Sequence, residues 1–177
     1  MVKNESGFTL IEMIVVLVLV GIVAVIAAMG IVTGIHGYIF ARDMAPISQK
    51  ANLAMSRLSR ELMEISTVTS SASNSISFSD SYGGLRAIAF VGSVSQIKIN
   101  DSATVPTAGT GYILIDNVNS FALTYYKSDG TVWSCCNANS LSSITIDVKV
   151  NHTYGTPLTF FTAINPRNTG NYNAPII

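Results

Sequence analysis

The chain divides into three stretches that differ in how apolar and polar residues follow one another. The first, residues 13–35, holds twenty-three residues without a charged side chain. In the second, residues 51–65, apolar residues recur at every third or fourth position, which predicts a helix with one apolar stripe. Beyond Val68 the period becomes two, which is typical of strands with one solvent-exposed face. The clearest case alternates Ile144, Ile146, Val148 and Val150 with Thr145, Asp147 and Lys149.

These patterns predict an α+β fold in which a long amino-terminal helix is followed only by strands. We expect the carboxy-terminal half of that helix to pack on an antiparallel sheet. The stretch 67–77 is almost entirely Ser, Thr, Ala and Asn, which favours a connecting loop, and Asp129-Gly130 favours a tight turn. The predicted strands are 76–79, 85–91, 94–99, 112–115, 121–126, 144–150 and 158–164.

The uncharged stretch is long enough to cross a membrane. As a helix it would rise about 34 Å, against a hydrocarbon core of about 30 Å. A charged side chain at the centre of such a span costs about 3 kcal/mol, so Glu12, at its entrance, requires a compensating role. A cleaved secretory signal is disfavoured because the run is too long and lacks an Ala-x-Ala site. An ordinary signal anchor with one polar residue remains an alternative.

The residues at this entrance are Gly7-Phe8-Thr9-Leu10-Ile11-Glu12. They resemble the amino terminus of type IV prepilins and of the pseudopilins of type II secretion systems. The resemblance implies that a prepilin peptidase cuts between Gly7 and Phe8 and methylates the new amino group of Phe8. It also implies, as further partners, other pilins or pseudopilins, an inner-membrane assembly platform and the lipid bilayer. We therefore expect a single-pass inner-membrane protein whose carboxy-terminal part is exported to the periplasm or the cell exterior.

A physical role for Glu12 follows from the expected cleavage. Cutting after Gly7 creates a positive amino group on Phe8, and two staggered helices could pair the amine of one with the Glu12 carboxylate of the next. Each charge would then be neutralised within lipid. The expected organisation is a leader (1–7), a transmembrane and assembly helix (8–35), an exported amphipathic helix (36–66) and a β-rich head (67–177).

Two pairs of opposite charge stand four positions apart on the amphipathic helix, Arg57 with Glu61 and Arg60 with Glu64. The basic residue comes first in each pair, which is the weaker orientation, so we expect a solvated face.

Later segments resemble J-type minor pseudopilins and the related minor pilins of type IV pilus systems. These segments are Met55-Ser56-Arg57-Leu58-Ser59-Arg60-Glu61-Leu62, Ile115-Asp116-Asn117-Val118-Asn119-Ser120-Phe121 and Asn165-Pro166-Arg167-Asn168. The resemblance implies a minor or initiating subunit. A major shaft pilin and a membrane-anchored binding domain, including a minor pilin for DNA uptake, remain alternatives.

Composition gives no reason to expect nucleic acid as a partner. Ten basic and ten acidic residues leave a formal charge of zero. The basic residues of the head are scattered singly, at Arg86, Lys98, Lys127, Lys149 and Arg167. We expect its aromatic residues to pack in the sheet core rather than to stack on bases; they are Phe121, Tyr125, Tyr126 and Trp133.

We expect neither an enzyme nor a cofactor. The chain has two histidines, His36 at the membrane boundary and His152 at a strand end, and neither stands in a recognisable catalytic constellation. Asp116 and Asp129 could donate oxygen ligands to calcium, but an ordinary Asp-Gly turn is the better interpretation.

Cys135 and Cys136 are adjacent, which is not the spacing of a structural zinc site. In an oxidising compartment they could form a vicinal disulfide or bond to another chain, and a reduced pair in a loop is an equal alternative. No metal is expected.

Overall fold

The computed structural model describes residues 7–152 and 156–169, and within them the chain has one α-helix followed by eight strands. Helix α1 is Leu10–Met63. The strands are β1 (Ile65–Ala72), β2 (Ser75–Asp80), β3 (Leu85–Val91), β4 (Gln96–Asn100), β5 (Tyr112–Ile115), β6 (Val118–Tyr126), β7 (Ser143–Val150) and β8 (Leu158–Ile164). Short 3₁₀ helices occupy Gly92–Val94 and Ala138–Ser140. The α+β fold predicted from the sequence is confirmed.

Two compact units divide the chain, Met1–Asp43 and Met44–Ile177. In the described part of the first unit, α1 presents its apolar side chains to the surroundings, as the side-chain exposures of Ile11 (67%) and Leu17 (67%) illustrate. An 18-residue stretch of this helix has a mean hydropathy of 3.2, and none of its residues is buried. By length and composition it can cross a membrane.

The second unit contains two antiparallel sheets, where the sequence predicted one. The first sheet has the order β1-β2-β3-β4-β5 and the second the order β6-β7-β8. The chain passes between them through Asp116 and Asn117, and Asn117 adopts a positive φ of 59°. This left-handed residue redirects the chain after β5, because a short polar side chain tolerates that conformation.

The Ser/Thr-rich segment is not the loop that the sequence predicted. Residues 67–77 lie mostly in β1 and β2, which pair antiparallel. Of the β1 side chains only Ile65 and Val68 are buried, so composition alone gave a weak signal. Backbone pairing and cross-strand contacts form the hairpin instead, among them Thr67 Oγ1 to Ser79 Oγ at 2.6 Å. Ile65, expected to close the helical stripe, opens β1.

Most of the other predicted elements are confirmed. Strands β3, β5 and β8 have the predicted bounds, whereas β4 begins after the 3₁₀ helix Gly92–Val94 and β6 begins earlier than predicted. The tight turn is present: Gly130 has a φ of 79°, and its N–H donates to the Lys127 carbonyl oxygen at 3.1 Å.

The apolar stripe of α1 is buried, as predicted. Its buried members are Ala51, Ala54, Met55, Leu58 and Leu62. They belong to one core with the inward residues of both sheets, including Phe78, Ile97, Ile144 and Ile146. Burial of such side chains is the main stabilising contribution to the second unit.

Aromatic residues tie the two sheets together. Tyr125, on β6, donates its hydroxyl to the carbonyl oxygens of Ala72 and Ser75, at 3.1 and 3.3 Å, in the β1–β2 hairpin. Trp133 packs on Tyr125 with ring centroids 5.7 Å apart. Phe121, Tyr125 and Trp133 are buried, which confirms that these aromatics pack in the core.

Candidate functional site

The amino-terminal start of α1 is organised by Thr9. The Thr9 carbonyl oxygen accepts from the N–H groups of Glu12 at 3.1 Å and Met13 at 3.3 Å, and its hydroxyl lies 3.4 Å from the Glu12 nitrogen. With Thr9 as the N-cap, Glu12 occupies the third helical position, which is the residue spacing of a capping box. The Thr-x-x-Glu spacing before an apolar run is the sequence signal for this helix start.

Gly7 and Phe8 precede this cap and are exposed. A Cβ added at Gly7 would meet no atom within 4 Å, so packing does not require glycine at this position. Phe8 is 79% exposed. The fold therefore leaves the peptide bond between them reachable, and the reason for a glycine must lie outside the described contacts.

Glu12 lies in the first turn of α1, and the residues that follow it carry no charge as far as Ile35. A carboxylate is favourable there because the helix dipole presents partial positive charge at its amino terminus. Farther along, Thr33 donates its hydroxyl to the Met29 carbonyl oxygen at 3.0 Å. This bond satisfies a polar group within the apolar stretch. Glu12 carries a carboxylate, whereas Thr33 is a neutral residue whose hydroxyl is bonded to the helix backbone.

Residues 2–28 match the family model of the prokaryotic N-terminal methylation motif. The match supports a type IV pilin-like or pseudopilin-like structural subunit. It implies processing by a prepilin peptidase and assembly with other pilins. The motif and the long apolar helix are consistent with membrane anchoring and pilus assembly. Proteins that carry this motif are structural rather than catalytic.

None of the curated proteins compared with the chain matches it.

In the second unit, an ion-pair cluster joins the end of α1 to the first sheet. Arg86, on β3, lies 3.0 Å from Glu61, 3.5 Å from Asp80 and 3.6 Å from Asp101. Glu61 also lies 3.8 Å from Arg57, and its side chain is only 14% exposed. The expectation that Glu61 belongs to a solvated face is therefore wrong, because a strand supplies a cation that helical spacing cannot reveal.

Lys98, one of the basic residues scattered singly along the head sequence, is buried. The residue is 5% exposed, and its Nζ donates to the carbonyl oxygens of Thr107, Ala108 and Thr110 at 3.2, 2.6 and 3.4 Å. One side chain thus holds the β4–β5 loop (residues 101–111). Gly111 closes that loop with a φ of 81°, where a Cβ would lie 2.9 Å from the Ile99 carbonyl oxygen.

Two aspartates organise turns. Backbone N–H groups of Gly84 and Tyr82 donate to Asp80 Oδ1 at 2.7 and 2.9 Å. The Gly84 N–H, followed by that of Tyr82 and by Arg86, lowers the pKa of Asp80 below its usual 3.8. Hydrogen bonds from the Thr131 hydroxyl and then its N–H likewise lower the pKa of Asp129. Asp129 is thus a turn residue.

Cys135 and Cys136 are joined by a disulfide in the connection between β6 and β7. The Cys136 sulfur lies 3.3 Å from the Thr69 carbonyl oxygen of β1. The pair therefore sits against an edge strand of the first sheet.

The remaining candidates are dispersed. Asp116 lies 3.3 Å from Lys50 on α1, with both side chains more than half exposed. His36 lies within α1 and His152 follows β7. Among residues 7–152 and 156–169, no group of three or more His, Cys, Asp or Glu could hold a metal ion.

Proposed function

We propose that the chain is a minor or initiating subunit of a type IV pilus or a type II secretion pseudopilus. A prepilin peptidase removes residues 1–7, cutting between Gly7 and Phe8, and methylates Phe8. Residues 8–35 anchor the subunit by a single pass and assemble it, and α1 continues beyond them as an exported helix that ends at Met63, not at residue 66 as the sequence predicted. The strands from β1 onward form the exported head.

The position of Glu12 is the observation that carries this proposal. It places a carboxylate in the first helical turn, within a matched methylation motif and before twenty-three uncharged residues. An anchored receptor does not need such a group, since an ionised side chain within a span is costly. A filament subunit does, because the amine created on one Phe8 needs a partner on the adjoining helix.

The assignment to a minor subunit is supported by the three later segments that resemble J-type pseudopilins. The last of them meets the end of α1: the Arg167 N–H donates to the Met63 carbonyl oxygen at 2.9 Å, and the Asn168 amide lies 3.5 Å from the Glu64 carbonyl oxygen. The third segment thus lies against the two residues that directly follow the first.

Replacing Glu12 by Gln tests the proposal, because the change removes the charge and keeps the volume. We expect cleavage at Gly7 and methylation of Phe8 to persist, as read by mass spectrometry of the mature chain. Pull-down of partner pilins should fall more than a hundredfold, because an unpaired amine in lipid costs about 3 to 5 kcal/mol.

Glu64→Gln is the matched control, since it removes one carboxylate outside the motif, where the Ser81 hydroxyl donates to it at 3.2 Å. That variant should assemble like the wild type. A Glu12→Gln chain that is cleaved and still assembles normally contradicts the proposal. Loss of cleavage itself would instead assign Glu12 to peptidase recognition.

A further inference from the structure

In the part of the chain that the structure describes, strand β8 is an edge strand without the usual protection. It is the last strand in the order β6-β7-β8, and its sequence contains no charged residue and no proline. Its register with β7 is regular over Leu158–Ile164, whereas the pairings β1–β2, β4–β5 and β6–β7 contain irregularities. Edge strands are normally guarded against pairing by charges, prolines or bulges. The absence of all three in β8 indicates an edge that is suited to pairing.

A groove runs beside this edge. It has a volume of about 820 Å³ and lies between α1 and β8. Its helical wall carries Asn52, Ser56 and Ser59, and its sheet wall carries Thr159, Phe160 and Phe161. Among the described residues that line it, none carries a charged side chain. Phe161 is 67% exposed.

We propose that this groove, called here the β8 groove, binds an uncharged extended segment of a neighbouring filament subunit, which adds to the sheet as a strand beside β8. The proposal rests on the proposed function, because it takes the occupant from the same filament. It goes further in assigning a second assembly surface, on the head, in addition to the amino-terminal helix.

Three observations favour an uncharged extended segment, and the proposed function supplies a neighbouring subunit as its source. The free backbone groups of an edge strand are satisfied by an extended chain and not by a helix, whose own groups are already paired. The neutral lining disfavours a charged segment, which would lose its hydration without gaining a partner. The seven residues of β8 offer an edge about 23 Å long, enough for a short strand.

Phe161 is placed to contact a strand that binds beside β8. In the pairing of β7 with β8, Phe161 lies opposite Asp147. Its side chain is therefore on the sheet face opposite to that of Ile146 and Val148. A strand added beside β8 would bring its own side chains next to Phe161 and cover part of its exposed ring. Phe161 is therefore the position for a crosslinking probe.

The first test places a photo-crosslinking phenylalanine analogue at Phe161 of the full chain, in cells that carry its assembly system. The same analogue at Tyr82, which is 93% exposed, is the control. We expect the Phe161 probe to crosslink to an uncharged segment in the head of another subunit, identified by mass spectrometry, and the Tyr82 probe not to reach that segment. A crosslink to residues 170–177 of the same chain, or none, overturns the proposal.

The second test adds a charge to the edge. Thr159→Lys should lower recovery of the chain in sheared filaments at least tenfold, because a charge on an edge strand opposes pairing with an uncharged segment. Thr159 pairs with Lys149 on β7, so the folding of the variant has to be checked as well. Thr69→Lys makes the same change at an exposed position of β1, an edge strand of the other sheet, and should assemble normally. Cleavage and buried-Trp133 fluorescence should stay unchanged in both variants.

These variants separate the two proposals. Should neither the wild type nor Thr69→Lys enter filaments, the proposed function fails. Should both enter, and Thr159→Lys enter equally well, the β8 groove is not an assembly surface and the proposed function stands. A Thr159→Lys chain that loses its Trp133 signal is replaced by Thr159→Glu and Phe161→Ser. Normal assembly of both of these variants overturns the docking proposal.

Discussion

At the scale of single residues, the head is organised by polar side chains that the sequence pattern did not single out. Lys98 donates hydrogen bonds to backbone carbonyl oxygens of the β4–β5 loop. Arg86 forms ion pairs with carboxylates from α1, β2 and that loop. In the sequence both are single basic residues scattered along the head. Their roles depend on residues outside their own strands, and periodicity reports only on neighbours along one helix or strand.

Lys98→Met should destabilise the protein, because the change removes the ammonium and leaves three carbonyl oxygens without their donor. We expect a loss of about 2 to 3 kcal/mol in the free energy of unfolding. Urea unfolding of the full chain in detergent, followed by fluorescence of the single tryptophan, Trp133, measures it. Lys149→Met is the control at an exposed position of β7, and equal stability of the two variants would contradict the structural role of Lys98.

Asp80 should make stability depend on acid. Its pKa is lowered in the folded protein, so its contribution is present above the unfolded value of 3.8 and is lost as the pH falls below it. Urea midpoints between pH 5 and pH 2.5 should therefore decline less in Asp80→Asn than in the wild type. Asp101→Asn removes another carboxylate beside Arg86 and should retain the wild-type decline. Parallel declines in all three proteins would refute this assignment.

At the scale of elements, the strands with a regular apolar pattern were predictable and those without one were not. Strands β3, β5 and β8 appeared with their bounds because burial follows the sequence period. Strand β1 did not, since most of its side chains are polar and its pairing comes from backbone hydrogen bonds with β2. The sequence pattern also did not reveal the division into two sheets. It does not show that Asn117, between β5 and β6, adopts a positive φ.

The stripe of α1 allows a matched comparison within one helix. Leu58 is fully buried, whereas Leu53 is 74% exposed. Leu58→Ala should lower the free energy of unfolding by about 2 to 5 kcal/mol, since it leaves a cavity in the core. Leu53→Ala should change it by less than about 0.5 kcal/mol. Urea unfolding monitored at Trp133 distinguishes them, and similar losses would show that the stripe does not anchor the core.

At the scale of the whole molecule, the sequence revealed the amino-terminal motif but not the β8 groove. The amino-terminal motif was readable because a short stretch contains all its parts, from Gly7 through Glu12 to the uncharged run. The β8 groove was not, because its walls come from α1 and from a strand about a hundred residues later. Surfaces assembled from distant segments require the fold.

The copy number of the chain tests whether it is a minor or initiating subunit. Such a subunit begins or caps a filament and does not repeat along it, so we expect it to be scarce in filaments sheared from cells. Quantitative mass spectrometry of that fraction should find at least tenfold fewer copies of this chain than of the dominant pilin. Deleting the gene of a minor or initiating subunit should reduce the number of filaments. A shaft subunit would instead be the main component of the filaments. If the chain proves to be the dominant protein, it is a major pilin. The Glu12→Gln test would still apply, because the proposed pairing of Phe8 with Glu12 would be needed along a shaft as much as at its tip.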